Sequence, residues 1–147
     1  MEKILVSSCL LGNNCKYNGG NNYNVLVEEL KKKYEIISIC PEVMGGLSIP
    51  RVPSESINGT VINKDGEDVT RYFMSGSKKV LDIVKSENIK IAVLKDGSPS
   101  CGSSYIYDGT FSGNKISGMG MTAKLLKLFG VKIYSENNIE ELLWLLR

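Results

Sequence analysis

Four cysteines, Cys9, Cys15, Cys40 and Cys101, are the residues of this chain best suited to chemistry, and the chain contains no histidine. Without imidazole there is no Ser-His-Asp triad, no Cys-His pair, no His general base and no zinc site with imidazole ligands. Reactivity must then fall to Cys, Asp, Glu, Ser, Thr, Tyr, Lys or a bound cofactor. Structural zinc usually sits between cysteine pairs with about two to four intervening residues. Here five residues separate Cys9 from Cys15, and the other gaps are far longer. Iron–sulfur clusters also take thiolate ligands, and separate loops can supply them. Three thiolates on a four-iron cluster would leave one iron open to a substrate. Two disulfides, or inert buried thiols, are the competing readings of these cysteines.

The neighbours of the cysteines favour a site. Gly12 follows Cys9, Pro41 follows Cys40, and Cys101 lies between Pro99 and Gly102, so backbone can approach a bulky inorganic group closely. Glu42 stands two residues after Cys40 and, with no histidine present, is the natural proton-transfer group. Ser98 and Ser100 flank Pro99 just before Cys101, and Lys95 and Asp96 precede them. Lys16 and Arg51 are cations able to neutralise an anionic cluster or substrate, and with Ser100 they form the candidate substrate-binding set. Tyr17, Tyr105 and Tyr107 can stack a flat ring. Each residue alone has a plainer reading as loop cap, solvated charge or core packing; their concentration around the cysteines argues for chemistry.

The elements that must position these residues follow from periodicity. Lys3 to Ser8 reads as a buried strand, followed by the Gly- and Asn-rich loop GNNCKYNGGNNY. Leu26, Val27, Leu30 and Tyr34 recur at helical spacing and predict a helix over Asn24 to Tyr34. Glu35 to Ile39 is a second strand running into Cys40, and two Gly and three Pro keep PEVMGGLSIPRVPSES irregular. A strand is expected over Ile57 to Asn63, a turn at Lys64-Asp65-Gly66, and a helix from an Asp68 N-cap to about Glu87. Its buried stripe is Val69, Phe73, Val80 and Val84, with Gly76 on the same face. Ile89 to Lys95 is a third core strand, and the irregular YIYDGTFSGNKISGMG leaves room for a small hairpin. Thr122 to Phe129, Val131 to Tyr134 and Ile139 to Leu146 complete the chain as helix, strand and helix.

Strands alternating with such helices imply right-handed βαβ units and a parallel sheet in one α/β domain spanning 1–147. In open sheets of this kind ligands bind beyond the carboxyl ends of the strands. Cys9, Cys40 and Cys101 follow the three predicted core strands, so their loops are expected to open on one edge.

Composition narrows the function. A chain of 147 residues with 42% hydrophobic and 23% charged residues is ordinary globular protein. A net charge of +2 gives no footprint for nucleic acid or membrane. No apolar run reaches the roughly 18 residues of a membrane helix, and the start MEKILVSSCLLG lacks signal-peptide features, so a cytoplasmic location is expected.

The runs VSSCLLGNNCKYNGG, ICPEVMGGLSIPR, INKDGEDVTRYFMSG, LKDGSPSCGSSYIYDGTF and GMGMTAKLL resemble the DUF523 family, in order and over nearly the whole chain. The resemblance implies a Rossmann-like parallel sheet with flanking helices and a [4Fe-4S] cluster held by three cysteines. It also implies non-redox desulfuration of 2-thiouracil to uracil and sulfide. By motif the ligands fall on Cys9, Cys40 and Cys101, the acid of the CPE motif on Glu42, and the SPSC serine on Ser98. Cys15 departs from the desulfidase pattern, which has an apolar residue there. A fourth ligand, a sulfur-accepting thiol and a buried bystander are its three readings. A free thiolated base, its nucleoside and a tRNA fragment all fit the substrate class. The alternatives to an enzyme are a non-catalytic cluster-binding module and a nucleotide-binding domain using the Gly-rich loops GNNCKYNGG and SGMGMTAKLL, which match no phosphate-loop pattern.

Overall fold

The run KILVS has no polar alternation, and a strand of this kind is stable only when covered on both faces. A computed structural model, which describes residues 1–145, shows this arrangement. Strand β1 (Lys3–Ser7) lies inside a four-stranded sheet, parallel throughout, of order β2 (Glu35–Ile39), β1, β5 (Ile91–Val93), β8 (Lys132–Tyr134). In register, Leu5 of β1 sits opposite Ile37 and Ala92, and Val6 opposite Ser38 and Val93.

The strand pleat divides the core into two layers. Leu5 and Ala92 face Val80 and Val84 of α3 (Thr70–Ser86) and Ala123 and Leu126 of α4 (Met121–Phe129). Ile4, Val6 and Val93 face the other way, onto Val27 and Leu30 of α1 (Leu26–Leu30) and Ile139 and Leu142 of α5 (Ile139–Trp144). Two antiparallel hairpins stand outside the sheet: β3 (Ser54–Ile57) with β4 (Thr60–Asn63), and β6 (Tyr105–Tyr107) with β7 (Lys115–Ser117). Among the described residues no helix is long and apolar enough to cross a membrane.

Several boundaries differ from expectation for identifiable reasons. The helix expected over Asn24 to Tyr34 is α-helical only at Leu26–Leu30, because the Asn24 side chain accepts from the Leu26 N–H (2.9 Å) and Lys31–Lys33 leave the helix as turns. The strand expected over Ile57 to Asn63 is instead one arm of a hairpin, which reverses at Asn58-Gly59, both with positive φ. Asp68 holds the Thr70 N–H at 2.9 Å, and the helix begins at Thr70 rather than at Asp68. The third strand is trimmed to Ile91–Val93. The far end of the closing helix at Leu146 lies outside the described residues.

The irregular loop after Cys40 contains one more element, α2 (Pro41–Met44). It packs onto α3 with backbone touching backbone. A Cβ on Gly45 would lie 1.9 Å from the Tyr72 carbonyl oxygen, and one on Gly76 would lie 1.8 Å from that of Pro41. No larger residue fits either position, and this contact sets where Cys40 and Glu42 stand. Gly76→Ala therefore tests two opposed effects. Alanine raises helix propensity by about 1 kcal/mol, whereas the clash costs about 1–3 kcal/mol or more and pushes α2 away. The expected outcome is a lower melting temperature, read by thermal unfolding of the two proteins side by side.

Candidate active site

Beyond the carboxyl ends of β2, β1 and β5 lies a cavity of about 480 Å³. Cys9 enters it from the 3-10 turn Ser8–Leu11 that follows β1, Cys40 from the end of β2, and Cys101 from the loop after β5. Cys15 reaches the same cavity from the Gly- and Asn-rich loop. All four thiols are free. The expected convergence of three strand ends is thus present, and Glu42, Ser98, Ser100, Lys16 and Arg51 line the same space.

Glu42 has both carboxylate oxygens engaged. Arg51 Nε donates to Oε1 at 3.2 Å, and the Ser100 and Ser98 hydroxyls donate to Oε2 at 2.8 and 3.4 Å. Ser98 also receives the Ser100 and Cys101 backbone N–H groups, each at 3.0 Å, so the SPSC turn is wound around its hydroxyl. Ser100 Oγ lies 3.8 Å from Cys101 Sγ, which leaves a single hydroxyl between the Glu42 carboxylate and that sulfur. Arg51 is largely buried and fully committed: besides Glu42 it donates to the carbonyls of Cys15 (3.0 Å) and Ser48 (3.2 Å). It braces three loops rather than presenting a free cation. Lys16 remains half-buried in the wall, its ammonium 5.7 Å from the Tyr17 ring centre.

The thiols differ in their surroundings. Burial pushes Cys101 up to about 12 against the hydrogen bonds of Ser7 and Ser100. Burial likewise raises Cys9, which Asn22 and the Lys95 charge only partly offset. The Cys40 thiol lies 3.9 Å from the Cys15 carbonyl oxygen; the neighbouring Cys15 side chain, helped by the Val43 backbone N–H, holds Cys40 below the ordinary thiol range against its burial, while Cys15 is pushed up. Buried thiols of raised pKa become thiolates when a bound metal supplies the missing positive charge. Among the described residues no three Cys, Asp or Glu side chains gather closely enough to ligate a single ion. Thiols spread around a cavity suit a polynuclear cluster better than a single ion, since ligands from separate loops can hold it.

Some residues of the site were not legible in the sequence. Glu136, just after β8, pairs with Lys95 at 2.7 Å and accepts the Asp96 N–H at 2.8 Å. Burial works against the Lys95 ammonium, and the Glu136 carboxylate outweighs it and holds Lys95 above the usual range. No motif marks Glu136, since its role depends on β8 lying beside β5. Asn22, Glu55 and Phe111, unlike Glu136, line the cavity itself.

A model of the 2-thiouracil desulfurase family matches residues 4–138. The chain belongs to this family. An uncharacterised member, YbbK of Bacillus subtilis strain 168, is 44% identical, the match covering 95% of this chain and 99% of YbbK. The solved structure of the [4Fe-4S]-dependent thiouracil desulfidase TudS superposes with a TM-score of 0.93 at 39% identity, covering 99% of this chain and 98% of that one. The desulfurase fold is therefore shared from end to end, as the resemblance of the motifs implied.

Asp96, three residues beyond β5, holds together the loop that carries Cys101. It is 1% exposed, and its Oδ1 accepts the backbone N–H groups of Gly97, Ser103, Ser104 and Tyr105 at 3.0–3.3 Å. Burial raises its pKa, but the bonds from the Ser104 hydroxyl and these N–H groups prevail and hold the carboxyl below the usual range. Its stabilisation is thus complete above the unfolded pKa of about 4 and is lost as pH falls through the lowered folded value. Asp96→Ala should cost about 3 kcal/mol at pH 7, because several buried N–H groups lose their acceptor. In urea titrations the gap from wild type should narrow as the pH is taken well below 4.

Proposed function

We propose that this chain desulfurates a 2-thiouracil-like thiolated base, giving the oxo base and sulfide, with a [4Fe-4S] cluster held by Cys9, Cys40 and Cys101. The observation that carries the reading is the Glu42 carboxylate set one hydroxyl, Ser100, from the Cys101 sulfur inside a four-thiol cavity. The likeness to TudS, a [4Fe-4S]-dependent thiouracil desulfidase, supports it. The donor set fits the cofactor: three thiols on three strand-end loops, with a fourth nearby. When bound there, the cluster supplies a Lewis acid for the soft thiocarbonyl sulfur.

The chain's own residues do the proton work. Water adds at the thiocarbonyl carbon and the carbon–sulfur bond breaks, so one water enters and one hydrogen sulfide leaves, with no change of oxidation state. Glu42 takes the proton of the attacking water, and Arg51, fixed on Oε1, keeps Oε2 as the working oxygen. Ser98 and Ser100 hold Oε2 in place and orient the water or the ring N–H. Lys16 lies where it can meet polar groups on the substrate.

Glu42→Gln keeps size and hydrogen-bonding capacity but loses basicity. It should retain full iron content and still bind the thiobase, while sulfide release from 2-thiouracil falls by about 10²–10⁴-fold. Near-normal turnover would remove Glu42 from the base role.

Cys15 supports a second reading, a non-catalytic cluster module, because a fourth thiol in the cavity could close the open iron. Iron and sulfide analysis after anaerobic reconstitution distinguishes the two. Cys15→Ala should keep the cluster and Cys101→Ala should lose it; equal loss in both would make Cys15 a ligand and favour the module.

A further inference from the structure

The cavity has an outer wall that the chemistry above does not use, built from Tyr105, Tyr107 and Phe111 with Glu55 beside them. Tyr105 and Tyr107 are two residues apart on β6 and so share a face. Their rings meet edge to face, with centroids 6.1 Å apart. Phe111 belongs to the turn between β6 and β7 and has φ +55, the left-handed region that a bulky residue enters only when its surroundings force it there.

The surroundings that force it are specific. Glu55 Oε1 accepts the N–H groups of Gly109 (2.9 Å) and Phe111 (3.2 Å), tying the β6–β7 turn to strand β3. A Cβ on Gly109 would lie 2.3 Å from Ile57 Cγ1, so the turn is seated tightly on the neighbouring hairpin. Thr110, Ser112 and Gly113 of the same turn are exposed, yet the Phe111 side chain is half-buried and lines the cavity. A strained backbone, an anchoring carboxylate and one aromatic ring turned into the cavity together describe a placed contact. The ligand class such a wall accepts is a flat heteroaromatic ring, for which stacking is the natural attraction.

We propose that Phe111 is a specificity-determining residue that packs against the ring of the thiolated base, and that Glu55 is the positioning residue that holds it there. The proposal rests on the desulfuration reading.

The test uses anaerobically reconstituted protein with 2-thiouracil. Phe111→Ala should raise KM about tenfold, the size of one lost ring contact, with kcat within about twofold and iron content unchanged. Phe111→Tyr, which keeps the ring, should restore KM. Glu55→Ala should raise KM with Phe111 still present and speed amide hydrogen exchange at Gly109 and Phe111, whereas Glu55→Gln keeps an acceptor oxygen and should do neither. In the wild type, 2-thiouracil should slow exchange across residues 108–114, and in Phe111→Ala it should not. An active wild type with an unchanged KM in Phe111→Ala overturns the Phe111 assignment. A cluster-loaded wild type that releases no sulfide overturns the desulfuration reading, and the exchange comparison then still decides whether Phe111 meets the ring.

Discussion

Because β2, β1 and β5 lie side by side and run in one direction, their carboxyl ends share an edge, and Cys40, Cys9 and Cys101 open onto it. Register does the positioning. A slip of one residue in β1 would turn Leu5 out of its layer and shift the turn that carries Cys9 along the edge. The apolar demand of the core and the convergence of the thiols are therefore met by the same register. Ser7 shows the coupling at atomic scale, since its hydroxyl accepts the Lys95 N–H at 3.0 Å and bonds the Cys101 thiol.

The sheet brings the loops near one another; a few polar groups then fix them. Arg51 joins the Cys15 loop, Ser48 and Glu42, and Asp96 gathers four backbone N–H groups of the loop that carries Cys101. Both are buried charges, and both have the partners that buried charges require. The direct backbone contact of Gly45 and Gly76 with the facing helix does the same for α2 without a side chain. Preorganisation of this kind matters for a site whose reacting groups must be aligned before the substrate enters.

Much of this was legible in the sequence, and the exceptions share a cause. The four parallel strands, the stripe on α3 and the hairpin after Cys101 follow from short-range pattern, which periodicity reports directly. The cysteines with Glu42, Ser98 and Ser100 stood out because they fall in loops at strand ends. The β3–β4 hairpin differs from the single strand expected there because SESI, mostly polar, carries no strand pattern of its own before the Asn58-Gly59 turn. Glu136, Glu55 and Phe111 could not be read, since each acts through an element distant in sequence: Glu136 through Lys95, and Glu55 through the turn at Phe111. Arg51 was expected to meet an anion from outside, and the chain supplies one itself in Glu42.

The distribution of the thiols along the chain also bears on biogenesis. Cys9, Cys40 and Cys101 belong to loops that only the assembled sheet brings together. A small zinc domain can wrap its metal from one short segment and use that binding to fold. The proposed ligand set has no such segment, so on that reading β5 would have to be paired with β1 before an inorganic core could be seated. On the same reading the apolar layers on the two faces of the sheet would have to hold the fold together without help from the metal.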